Sequence, residues 1–490
     1  MRAKISRFVK IAGALLGVAL LTFLAIRIYD TQRGPSLKPW HTYVPHEIPQ
    51  QKLEAADWKQ YLAAEAAIFD DVEREVSRKL ETADRVPSNR YFDGSPVFPA
   101  HFAQDFNRSF VLLPNEKPVG AVVLLHGLTD SPYSQRHIAR FYRDHGFVAI
   151  VPRMPGHGTV PAALTDVEWE DWMAATRLAV REARRLAGPS VPLHLVGFSN
   201  GGALALMYAL DSIDDENLSR PSRLVLISPM VGITRFARFA GLAGLPAILP
   251  AFAKAAWLGI VPEFNPFKYN SFPVNGARQS HRLTQALQAR IARYARQDKL
   301  GQLPPILTFQ SLIDFTVSTR AIIAALYANL PANNSELVLF DVNRTARFGP
   351  LLRPSTDTVL ARIVPGPPRR YRLTIVTNAD DEDDKVIERV TEADSDTVTS
   401  RPLGLSYPPG FYSLSHIALP FPVSDGLYGI KPDPSDNFGE NLGTLVPRGE
   451  RNVLIASLDS LMRASSNPFF PYMIDRIGEG IPPAANRPAQ

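Results

Sequence analysis

Six short apolar runs, spaced by stretches of helical composition, constrain this chain more than any other feature. They are VGAVVLLHG (119–127), FVAIVP (147–152), PLHLVGFS (192–199), RLVLISP (223–229), PILTFQSLID (305–314) and ELVLFDV (336–342). Each is near-continuous and rich in β-branched residues rather than alternating. Continuous runs mark strands buried on both faces, as in a parallel sheet. Helical stretches lie between them at 131–145, 165–187, 200–211 and 318–329. This succession predicts an α/β fold with a mostly parallel sheet flanked by helices.

Two segments break the series and suggest a division of the chain. Residues 1–29 read as a membrane anchor or signal, and 30–110 as a proline-rich linker (30–50) followed by a helical extension (52–82). In the latter, Leu62, Ile68, Phe69, Val72 and Val76 fall near helical spacing. The core occupies 111–230 and 301–342. An apolar and then basic insertion, 231–300, sits between as a cap. A second insertion, 343–412, holds a strand candidate (369–378) and an acidic run. Residues 413–490 form a histidine loop and a C-terminal extension.

Charge and cysteine content narrow the function classes. The net charge is +5. Arg2, Lys4, Arg7 and Lys10 account for most of it, so no basic surface for nucleic acid is indicated. With no cysteine, thiolate metal sites, disulfides and cysteine nucleophiles are excluded. After the basic head, Ile11 to Ile26 carries no charge and Ile28 and Tyr29 lengthen it toward a span of roughly 20 residues. No small-residue cleavage site follows this run. The reading favours an uncleaved single-pass anchor in the inner membrane, with the basic head inside and the body on the periplasmic side. Secretion after signal cleavage is the alternative.

The stretch VGFSNGG (196–202) places Ser199 between glycines, after a strand candidate and before a good helix start. This is the setting of a nucleophile elbow. Only small neighbours fit the strained turn, and Gly197, Gly201 and Gly202 supply them. A serine hydroxyl needs a base. In elbow proteins the acid and then the histidine follow the serine. Only His281 and His416 follow Ser199, and His281 precedes the acid candidate Asp314, which ends a strand run. The expected triad is Ser199 as nucleophile, His416 as base and then acid, and Asp314 orienting the imidazole. Asp341 is the rival acid. Backbone N–H groups of Leu128 and Asn200 are the expected oxyanion donors. His126 is read as shaping its loop and His157 as a loop hydrogen-bonder.

The segment LLHGLTDSPYSQRHIARFYRDHGFVAIVPRMPGHGT, with Pro155-Gly156-His157-Gly158 and then Trp169/Trp172, resembles the monoacylglycerol lipase and carboxylesterase branch of the α/β-hydrolases, serine aminopeptidase-like enzymes included. IDFTV (313–317) is similar to the acid loop of that branch. The resemblance covers about 110–232, 303–342 and the surroundings of His416. It implies an α/β-hydrolase fold and ester hydrolysis through an acyl-serine, without cofactor or metal. The departures are the 102 positions from Asp314 to His416, which require 343–412 to be looped out, the large cap, and flanks at 52–110 and 420–490 without counterpart.

The expected substrate is a small-molecule or lipid ester with an apolar acyl group. Acyl transfer to an alcohol by the same triad is one alternative. A membrane-tethered binding or assembly protein on the same scaffold is another. The apolar stretch Phe236 to Phe267 is read as a lid or pocket wall. Arg278, Arg282, Arg290, Arg293 and Arg296 are read as solvating a helix face. Asp380 to Asp384 is read as a solvated hairpin turn rather than a calcium site. Acyl length, the alcohol and the oligomeric state are not set by these features.

Overall fold

A computed structural model describes residues 2–232, 245–248, 250–314, 316–345, 359–443 and 463–482. Parts of the expected cap (233–244 and 249), Phe315, residues 346–358 of the second insertion, and 444–462 and 483–490 lie outside the described residues. All six sequence-expected strands form: β2 (Gly120–Leu125), β3 (Phe147–Val151), β4 (Leu193–Phe198), β5 (Arg223–Ile227), β6 (Ile306–Ser311) and β7 (Glu336–Phe340). With β1 (Phe110–Leu112), β8 (Arg372–Asn378), β9 (Lys385–Thr391) and β10 (Val398–Ser406) they make one ten-stranded sheet. The order is β1-β3-β2-β4-β5-β6-β7-β8-β9-β10. Pairing is parallel from β3 to β8. It is antiparallel at both edges.

The second insertion does more than loop out. Its strands β8 to β10 widen the sheet, β8 alongside β7. The acidic run turns the chain between β8 and β9, where the Asp380 carboxylate accepts the N–H groups of Glu382 (2.9 Å) and Asp383 (3.0 Å).

Side chains of each central strand alternate between two apolar layers. On one side Ala121, Val123 and Leu125 pack with helices α4 (Trp169–Ala187), α5 (Asn200–Asp214) and α6 (Val274–Arg296). On the other, Val122 and Leu124 pack with α3 (Arg136–Asp144) and α7 (Phe470–Gly478). The central strands β2 to β7 are covered on both faces, which is why they are buried almost throughout and largely apolar.

The N-terminal flank departs from its sequence reading. Helix α2 (Trp58–Glu75) starts on a capping box, Asp57 and Gln60, as expected of a strong helix signal. Its buried face is Trp58, Tyr61, Glu65, Ile68 and Val72, while Leu62 is exposed. The helix turns Glu65 inward because Arg153 is fully buried beneath it and bonds it at 3.2 Å, with Glu47 at 2.7 Å on the same guanidinium. The proline-rich 30–50 stretch is no free linker beyond its first turns. Trp40 and His41 are buried, and His41 Nε2 lies 2.9 Å from Ser271 Oγ. A few aromatic anchors strap this segment to the body.

Candidate active site

The end of β4 delivers Ser199 into a turn with φ 53° and ψ −115°. A non-glycine residue held there costs about 1–3 kcal/mol, which the surroundings must impose. They do so sterically. A Cβ on Gly197 would lie 2.3 Å from the Gly201 carbonyl oxygen, and one on Gly201 would lie 2.1 Å from that of Leu125. Backbone bonds lock the turn: Ser199 N–H donates to Ile227 O and Met230 N–H donates to Ser199 O, both at 2.9 Å.

His416 stands over this turn. Its Nε2 is 3.0 Å from Ser199 Oγ and its Nδ1 is 2.7 Å from Asp314 Oδ2. The other carboxylate oxygen of Asp314 accepts the N–H groups of Thr316 (2.8 Å) and Val317 (2.9 Å), and Gln310 Nε2 donates to Oδ2 at 3.1 Å. The acid side chain is fully buried, and Phe198 stacks on the imidazole at 5.4 Å. The structure thus brings Ser199, Asp314 and His416 together across 217 positions. The rival Asp341 is occupied elsewhere, by Arg344 Nε at 2.6 Å and Thr377 Oγ1 at 3.0 Å. His281 lies on α6 and does not line the cavity described below.

Leu128 lines the same cavity as Ser199. Asn200 opens α5, so its N–H is among the donors a helix leaves unpaired. Its side-chain oxygen accepts from Ser280 Oγ of α6 at 3.0 Å. His126 props the preceding loop: Nδ1 meets Gly127 O at 2.9 Å and Nε2 accepts Met154 N–H at 3.0 Å. Burial pushes this imidazole down to about 3, so it stays neutral. His157 packs edge-on against His126 and Trp172, and Trp172 Nε1 donates to Pro155 O at 3.0 Å. The Pro-Gly-His-Gly turn and the tryptophan form one packed corner, away from the cavity lining.

Ser199 and His416 open into a cavity of about 630 Å³. Its walls are largely apolar: Met230, Leu258, Val261, Phe264 and Phe272 from the core edge and cap, and Ile417, Tyr428 and Leu442 from the C-terminal extension. The last three were not foreseen, since nothing in 417–442 signals a wall. Lys268, Asn265 and Thr316 add polar groups.

The extension is clasped to the core beside the site. Arg136 bonds Asp425 (3.1 Å) and Asp436, His137 Nε2 meets Asp425 at 2.9 Å, and the Tyr133 hydroxyl donates to Asp425 at 2.8 Å. Burial pushes the Asp425 carboxyl up, but Arg136 and His137 outweigh it and hold it below the usual carboxylate range. His137, Asp425 and Asp436 have metal-ligand spacing, within 4.8 Å of one another. The guanidinium already supplies their cation, so the group reads as a clasp.

Residues 120–299 match a family model described as the alpha/beta hydrolase fold. The thermostable monoacylglycerol lipase of Bacillus sp. (strain H-257) is 33% identical over 92 residues, 19% of this chain and 35% of that relative. The chain thus spans about a third of the length of the curated relative it matches. Among solved structures, one reported for the metagenome-derived lipolytic enzymes LipS and LipT is 21% identical, with TM-score 0.38, over 48% of this chain and 88% of that one. A soluble variant of monoglyceride lipase from Saccharomyces cerevisiae is 16% identical, with TM-score 0.36, over 47% and 80%.

Proposed function

We propose that this chain, an α/β-hydrolase by fold, is a carboxylic ester hydrolase acting on substrates with an apolar acyl group. The observation that carries the reading is the His416 ring, bonded to Ser199 Oγ at 3.0 Å and Asp314 at 2.7 Å at the floor of an apolar cavity. His416 Nε2 takes the hydroxyl proton as Ser199 Oγ attacks the ester carbonyl carbon. Asp314 holds Nδ1–H and favours the imidazolium that forms. The tetrahedral oxyanion receives N–H donors from Leu128 and Asn200, each worth about 10²–10³ in rate by analogy with other oxyanion holes. Collapse expels the alcohol, which takes the proton from His416, and leaves the acyl group on Ser199. His416 then deprotonates water, which attacks the acyl carbonyl and releases the acid. The cavity walls hold the acyl chain.

The N-terminal apolar helix is read as an anchor with its basic head on the cytoplasmic side. Labelling by a fluorophosphonate probe tests the site. The wild type should label, and Ser199→Ala and His416→Ala should not. A folded wild type that fails to label would overturn the reading in favour of a binding scaffold.

A further inference from the structure

The long N-terminal helix α1 (Arg2–Arg33) is more than an apolar rod beside the body. Its stretch Arg7–Asp30 is long and apolar enough to cross a membrane, with a mean hydropathy of 2.3 over an 18-residue window in which no residue is buried. Phe8, Leu15, Leu16 and Leu21 are all largely exposed. At about 1.5 Å per residue this stretch reaches about 36 Å, enough for a hydrocarbon core of about 30 Å. Its far end, however, is bonded to the cap. Arg27 donates to Trp257 O, Gln32 Nε2 donates to Ala251 O at 2.9 Å, and Lys254 Nζ donates to Gly34 O at 2.9 Å. Immediately beyond, the Trp40–His41 strap is buried in the body. The helix end is therefore joined to the body by bonded and buried residues rather than by a slack tether.

The joint lies next to the cavity. Trp257 adjoins Leu258, and Leu258 and Val261 both line the cavity while remaining 41% and 38% exposed. Apolar side chains that line a cavity and still face outward mark its mouth. Arg27, near the end of the apolar stretch, bonds the carbonyl of the residue that precedes Leu258, which brings the helix end beside that mouth.

We propose that α1 is retained in the working protein and docks on the cap so that the cavity mouth sits at the bilayer surface. The substrate is then an ester lipid resident in the membrane, entering past Leu258 and Val261 without crossing water. This rests on the esterase reading for the chemistry, but the placement stands on the α1–cap bonds alone.

The chain has no cysteine, so single cysteines carrying an environment-sensitive fluorophore can report depth. The full chain is reconstituted into phosphatidylcholine vesicles with brominated acyl chains. A label at Leu258→Cys should be quenched at least twofold. One at Ser190→Cys, exposed before the opposite end of β4, should not be. Combining Arg27→Ala, Gln32→Ala and Lys254→Ala should abolish the Leu258 quenching while the protein still sediments with the vesicles. The same variant should hydrolyse a water-soluble butyrate ester within twofold of wild type and a vesicle-embedded long-chain ester about tenfold more slowly. An unquenched Leu258 label in the unaltered joint, or a mature chain beginning after Arg33, would overturn the proposal. Failure to hydrolyse either ester would instead overturn the esterase reading, and the quenching would still decide the placement.

Discussion

The two halves of the candidate site are built by opposite means. Ser199 is set by its immediate neighbours: a strand, three glycines and a helix start within ten residues. His416 is set by segments far from it in the chain. Ser415 Oγ and N–H bond Ala464 O at 2.9 and 3.2 Å, Asn343 N–H bonds Tyr412 O at 2.6 Å, and the Arg136 clasp secures the chain just beyond. The difference teaches where each half is vulnerable. The serine side tolerates no added atom. The histidine side depends on contacts with segments far along the chain.

The largest effect should come from adding one methyl to the serine side. Gly201→Ala forces a Cβ into the Leu125 carbonyl oxygen, and backbone cannot yield there. We expect a loss of about 4 kcal/mol or more, read as a collapsed urea midpoint. The second sharpens the histidine side. His416→Ala should lower ester hydrolysis by about 10⁶-fold, with thermal stability nearly unchanged. An equal loss of stability would show that the ring is a structural prop. Third, Arg136→Ala leaves Asp425 and Asp436 without their cation. A loss of about 3 kcal/mol is expected, with earlier proteolysis in 417–443, while probe labelling of Ser199 in the surviving folded fraction shows an intact elbow. If instead the elbow fails with the clasp, the two halves are not separable.

The smallest effect concerns neither half, and so calibrates both. Burial drives His194 down to about 3 and His41 to about 4. Both are depressed below the unfolded value of about 6.5. The unfolded chain therefore binds protons that the folded chain refuses. The stability these groups contribute is complete above about pH 6.5 and is lost as pH falls through their folded values. His194→Gln should flatten the acid limb by up to about 1.4 kcal/mol per pH unit, seen by denaturant titration between pH 6 and 4. An unchanged slope would mean His194 charges freely in the fold.

The same contrast explains what was legible in the sequence. The central strands and the elbow stood out because their signals are local and doubly buried strands admit few polar residues. Asp314 and His416 were reachable because chain order and a short histidine inventory left few choices. β9 and β10 were not seen. β9 alternates and β10 is mostly exposed, with Pro402 and Gly404 within it, so neither reads as a buried run. The helical spacing of α2 marks Ile68, Val72 and Val76, which are buried, but not Glu65, because a buried glutamate looks polar until its arginine, 88 positions away, is known. The 30–50 segment has loop composition, yet two aromatic side chains suffice to pin it. Tyr428 and Leu442 reach the cavity through contacts between distant segments, the Arg136 clasp among them, which joins positions 300 apart.

The span between Ser199 and His416 also has a consequence in time. A polypeptide made from its N-terminus completes β2 to β5, and with them the elbow, long before the histidine has left the ribosome. Domains generally assemble in that order, and distant pairings come last. On the proposed chemistry and the proposed anchoring, a nascent molecule already threaded into a bilayer therefore carries an inert serine. On the same premises, hydrolytic competence arrives only when the stretch that bears His416 has been delivered and clasped, so an unfinished copy cannot attack the membrane it is being built into.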